Sequence, residues 1–190
     1  MSRLSILMRN PKSTLGVLTA VVVAVGLTAA SGADFTAQTA NPSNTFAAGN
    51  LSMVNSKANA AVFTPSNMRP GGPSQSGTVD IENSGSIDGT FSVKADTITN
   101  SDAVNPMAAK INLVVRDCGE FAGATAPTCE AGDSSVYEGT LSAFTSSNPL
   151  GVYSPSEKHR YEFTATLDAS ADDEYEGDSS SARFEWNAIQ

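Results

Sequence analysis

Few residues in this chain are suited to chemistry. It has one histidine, His159, and two cysteines, Cys118 and Cys129. A zinc protease needs a pattern such as H-E-x-x-H on a helix, so that two imidazoles share a face. One histidine cannot supply that, and His159, beside Arg160 at the start of an alternating run, is expected to be a strand-edge surface residue. A serine nucleophile needs an imidazole held by a third group, and the neighbours of His159 suggest no such triad. Gly71-Gly72 sits between Pro70 and Pro73 with no Lys-Ser/Thr after it, so it is not a phosphate-cradling loop. No catalytic residue and no organic cofactor are expected.

The densest polar stretch is Asp168–Asp178, DASADDEYEGD. Its carboxylates, on Asp168, Asp172, Asp173, Glu174 and Asp178, are hard oxygen donors of the kind Ca²⁺ takes. The spacing is not that of an EF-hand loop, so the expectation is a weak Ca²⁺ candidate, with a solvated acidic turn as the other reading. Cys118 and Cys129 are an even count in a segment expected to be exported, which points to a disulfide. Two free buried thiols are the alternative.

The elements that position these residues are read from periodicity. Past residue 33 no helical period is sustained, and apolar residues alternate instead. In His159–Leu167, Tyr161, Phe163, Ala165 and Leu167 fall on one face, with Arg160, Glu162, Thr164 and Thr166 on the other. Similar alternation marks Val79 and Ile81, Phe91 to Ala95, Ile111 to Val115, Tyr137 to Leu141, and Phe184 to Ala188. Leu51 with Met53, and Ala61 with Phe63, suggest two more strands, while Ala122–Gly132 and Thr145–Pro149 read as exposed loops. About eight half-buried strands separated by Pro, Gly and Asn turns predict an all-β antiparallel sandwich. One domain accommodates the exported chain.

The first 33 residues read differently. A basic stretch, Met1–Lys12, precedes the uncharged apolar run Thr14–Ala30, and the small residues Ser31-Gly32-Ala33 follow. That is the layout of a cleavable signal peptide, expected to form a helix and to be cut between Ala33 and Asp34. An uncleaved anchor is the alternative. The net charge is −9, and without Arg3, Arg9 and Lys12 eight basic residues remain against 20 acidic ones, a net −12. Such a surface repels phosphate backbones and anionic headgroups, so neither nucleic acid nor, after cleavage, membrane is an expected partner.

Asp34-Phe35-Thr36 directly after the signal, then Thr45-Phe46-Ala47-Ala48-Gly49-Asn50-Leu51, Arg69-Pro70-Gly71 and Ile81-Glu82-Asn83-Ser84-Gly85-Ser86, form an ordered series. Asp173-Glu174-Tyr175-Glu176-Gly177 before Phe184-Glu185-Trp186-Asn187-Ala188 completes it. In this order the sequence resembles the TasA/camelysin family. The resemblance implies a jelly-roll sandwich, release by a SipW-type signal peptidase, and secretion into extracellular matrix or biofilm fibres as a self-assembling subunit. It also brings a metallo-endopeptidase label carried by some members, which the residues here do not support. Strand addition is the physical route to a fibre. The arm Asp34–Asn44 is the candidate donor, with Phe35 and Ala37 as its anchors and Pro42 ending the pairing. A monomeric adhesion or ligand-binding sandwich is the competing expectation.

Overall fold

Central to the fold is an alternating row of side chains on one strand. The computed structural model describes residues 47–190, and within them Lys158–Leu167 forms a strand whose odd-numbered residues from Tyr161 onward are buried. Branched and aromatic side chains at every second position suit a pleated, half-buried surface. In chain order the strands are β1 (Met53–Asn55), β2 (Gln75–Asn83), β3 (Gly89–Asn100), β4 (Ile111–Glu120), β5 (Ser134–Thr140), β6 (Asn148–Tyr153), β7 (Lys158–Leu167) and β8 (Ser180–Ile189).

They form two antiparallel sheets, β1-β2-β7-β4-β5 and β6-β3-β8. The chain changes sheet at β2–β3, β3–β4, β5–β6, β6–β7 and β7–β8, the winding of a jelly roll. The all-β sandwich expected from the sequence is the fold observed. The signal-peptide segment 1–33 and the arm 34–44 lie outside the described residues.

Between the sheets, Val79, Ile81, Leu113, Val115 and Phe163 of the larger face Phe91 and Val93 of the smaller, all at most 1% exposed. Phe163 lies 4.6 Å from Phe184 and 6.0 Å from Trp186, ring centre to ring centre, so β7 and β8 meet through aromatics. Phe144, 0% exposed, follows a 3-10 turn at Leu141–Ala143 and plugs the same core. Leu141 therefore belongs to this plug and not to the strand run expected for it.

Two sequence expectations need correction. Ala61 and Phe63 are not in a strand. Their segment crosses Gly77 so closely that a Cβ there would come within 2.5 Å of Phe63 Cβ, and the close approach takes the place of a ladder. Conversely, Thr145–Pro149 is not all loop, because β6 begins at Asn148. Pro149 is tolerated since β6 is an edge strand, and a register shift opposite Phe91 and Ser92, with Gly151 at φ 119°, breaks the alternation that would have revealed it.

Cys118 and Cys129 are disulfide-bonded with Cα atoms 4.7 Å apart. Serine at both positions is expected to lower unfolding free energy by about 3 kcal/mol in the chain-entropy picture, read from urea melts. Phe163→Ala is expected to cost about 3–5 kcal/mol by the same measurement, because a rigid two-sheet core cannot close the cavity.

Candidate functional site

β8 is paired on one side only, with β3; among the described residues its other edge has no partner. Its inward row, Ala182, Phe184, Trp186 and Ala188, is half-buried, whereas the inward row of β3 is sealed from Gly89 to Ala95. A groove of about 600 Å³ runs beside it, floored by Ile111, Leu113, Ala165 and Leu167 and walled by Met68 and Phe184. Asp178 Oδ2 and Ser180 Oγ, where β8 begins, are buried without a hydrogen-bond partner among the described residues, and both residues line this groove. Buried polar atoms are almost always satisfied, so this edge has hydrogen-bonding capacity left over. The expected anchors Phe35 and Ala37, and the expected cleavage point at Ala33 and Asp34, lie outside the described residues.

The acidic stretch does not converge on a point. Asp168 accepts from Asn112 Nδ2 at 2.9 Å and from the Ser170 N–H at 2.8 Å, Asp172 accepts from the Glu174 N–H at 3.2 Å, and Asp178 Oδ1 accepts from Ser101 Oγ at 2.8 Å. Asp173 and Glu174 sit exposed in a 3-10 turn. Asp168, Asp172 and Asp178, three of the carboxylates expected to offer a shared Ca²⁺ site, are thus engaged by hydrogen bonds that compete for the same oxygens.

The structure gathers ligands elsewhere. The inward row of β7 continues past Tyr161 to His159 and then Glu157, so the core grades from phenylalanine through tyrosine to imidazole and carboxylate. The inward row of β4 does the same, Ile111, Leu113 and Val115 leading to Asp117. His159 is not the surface residue expected from the sequence: its side chain is only 16% exposed and stacks on Tyr153 with ring centres 4.7 Å apart. Its Nδ1 lies 3.0 and 2.9 Å from the two Asp117 oxygens, and its Nε2 lies 3.1 Å from Glu157 Oε1. Glu157 Oε2 accepts from the Ser154 N–H at 2.7 Å, which fixes that carboxylate.

Glu120 completes the group through a bulge. Asp117 is paired with Tyr161 and Glu120 with His159, so three steps along β4 match two along β7. The extra residue, with Gly119 at φ 107°, turns Glu120 toward the face that His159 occupies. Among the described residues, Glu120, Glu157 and His159 form a set whose ligand atoms all lie within 4.8 Å of one another.

Electrostatics follow the burial. Desolvation works against the His159 imidazolium, but the hydrogen bond and charge of Asp117, then of Glu157, prevail and raise its pKa. Below His159, the hydroxyls of Tyr153 and Tyr161 hydrogen-bond to each other, and burial pushes both phenols well above their ordinary value. One sequence signal did mark this site: Glu157-x-His159-x-Tyr161 is a polar extension of an apolar period-2 row. The approach of Asp117 and Glu120 was not visible, since it depends on register and a bulge.

Asp168 is pulled down to about 2, by hydrogen bonds from the Ser170 side chain and backbone and then from Asn112. Because the folded value is the lower one, its stabilising contribution is complete above the ordinary carboxylate value of 3.8 and is lost as pH falls toward 2. Asn112→Ala is expected to move the Asp168 midpoint upward, read by carboxyl ¹³C NMR. Comparison with known proteins finds no matching family model and no matching curated protein.

Proposed function

We propose that this chain is a secreted structural subunit of extracellular matrix or cell-surface fibres, assembling with copies of itself by strand addition. A signal peptidase cutting between Ala33 and Asp34 frees the arm Asp34–Asn44, which then pairs with the outer edge of β8 in the next copy. The observation that carries this reading is the β8 edge, unpaired among the described residues, with its half-buried apolar row and the adjoining groove.

The physical case is one of complementary deficits. An unpaired edge offers backbone N–H and C=O groups that a second extended chain can satisfy. A donor with alternating side chains sends every second one into the groove, and Phe35 and Ala37 have that spacing. Burying one phenylalanine contributes about 1.5–3 kcal/mol, and the new ladder bonds add to it. The acidic surface disfavours random clustering of copies, so pairing depends on the specific edge. This reading assigns the chain no catalytic role.

The test is electron microscopy of mature protein beginning at Asp34, beside the same protein lacking residues 34–39. Fibres from the first and dispersed particles from the second are expected. A synthetic peptide of residues 34–44, added in excess, should shorten fibres by occupying the β8 edge. Fibres of undiminished length from the truncated protein would remove strand addition by this arm, and a monomeric mature protein would leave a binding sandwich in its place.

A further inference from the structure

We infer that Glu120, Glu157 and His159 form a binding site for a divalent transition cation, with Zn²⁺ as the natural probe. This stands apart from the groove beside β8, which lies at the opposite end of β7, and from the acidic stretch Asp168–Asp178.

The first argument is the orientation of the imidazole. With Asp117 carboxylate oxygens at 2.9 and 3.0 Å, Nδ1 is the nitrogen that carries hydrogen and donates. Nε2 lies 3.1 Å from Glu157 Oε1, so a protonated ring donates to that carboxylate, and a cation that displaces the Nε2 proton would take both atoms as ligands. A carboxylate holding the far nitrogen of a metal-bound histidine is the usual supporting arrangement, because it fixes the tautomer and strengthens the donor. Glu157 has matching support from the Ser154 N–H.

The second argument is charge. Asp117, Glu120 and Glu157 surround a single imidazole, so the group stays negative even when His159 is protonated. The neighbouring cations are engaged elsewhere: Arg160 donates to both oxygens of Asp80 at 2.7 and 3.0 Å, and Lys158 pairs with Glu82 at 3.5 Å. A dication restores balance where the flanking side chains do not.

The third argument is the bulge, which sends Glu120 to the His159 face when a regular ladder would send it to the other. Bound to one ion at about 2.0–2.2 Å each, donors lie no more than about 4.4 Å apart. The ligand atoms already lie within 4.8 Å of one another, and the exposed Glu120 side chain can swing to close the set. One nitrogen and two carboxylates suit Zn²⁺ or its neighbours, whereas Ca²⁺ and Mg²⁺ select all-oxygen sets. Such an ion would tie the bulged end of β4 to the β6–β7 turn and the start of β7.

The experiment is Zn²⁺ titration by calorimetry of tag-free mature protein, freed of metal by a chelator, with ¹⁵N NMR of the imidazole. His159 is the only histidine, so its signals need no assignment. One Zn²⁺ per chain is expected, with a shift of the Nε2 resonance and a higher Tm. Glu120→Gln, at an exposed position that the fold tolerates, should weaken binding at least tenfold. Asp117→Asn should weaken it about 10–100-fold while the stoichiometry stays at one. No binding, or binding that leaves Nε2 unmoved and survives Glu120→Gln at full strength, would overturn the assignment.

Discussion

Among the described residues, the larger inner face of this sandwich has five strands and the smaller has three. At about 4.8 Å per strand, the smaller sheet cannot cover the larger to its margins. Where the two overlap fully, burial is complete from Val79 and Ile81 across to Phe91 and Val93. At the margin beside β8 it is incomplete, and Ala182, Phe184, Trp186 and Ala188 remain half-buried above a groove. In a jelly roll with equal sheets, a first strand would lie on the far side of β8. Here β1 instead pairs with Ile81–Asn83 at the end of β2. Among the described residues the deficit is therefore built into the strand order.

β7 links this deficit to the rest of the molecule. It is hydrogen-bonded on both sides, to β2 and to β4, and its inward row runs the length of the core. Ala165 and Leu167 at one end floor the groove, while His159 follows Tyr161 at the other. An apolar row can end in ionisable groups only where water or partner charges reach it. Both conditions hold at this end: His159, Asp117 and Glu157 keep 16–21% of their side-chain area exposed and bond to one another. Tyr153 and Tyr161 form the transition layer, with rings in the apolar region and hydroxyls joined to each other.

Much of this was legible in the sequence, for definite reasons. Tyr161, Phe163, Ala165 and Leu167 give β7 a clean period of two, and the equivalent rows of β2, β3, β4 and β8 are nearly as clear. β6 was hidden because Pro149 and Gly151 interrupt its alternation, and both are accommodated only because the strand lies at an edge. Ala61 and Phe63 alternate yet form no strand, since packing against Gly77 replaced pairing. The His159 cluster was less accessible still. Its members come from two segments far apart in sequence, and only the pairing of β4 with β7 brings them together.

The bulge in β4 also accounts for where the disulfide lies. A strand that gains one residue against its neighbour loses ladder bonds locally and twists away. Cys118 falls inside the bulge, between Asp117 and Gly119, and its bond to Cys129 fastens the following loop to the distorted stretch. The Gly119 N–H donates to Asp117 Oδ1 at 2.9 Å, which holds the same carboxylate that faces His159. Just beyond, the Phe121 N–H rejoins β7 at the Lys158 carbonyl, 2.9 Å away. The ring of Phe121 lies under the Lys158 ammonium, 4.9 Å from its centre. An irregularity that would otherwise fray is thus closed on both sides, and the residue it re-aims, Glu120, is held at the one place where it can meet the single imidazole of the chain.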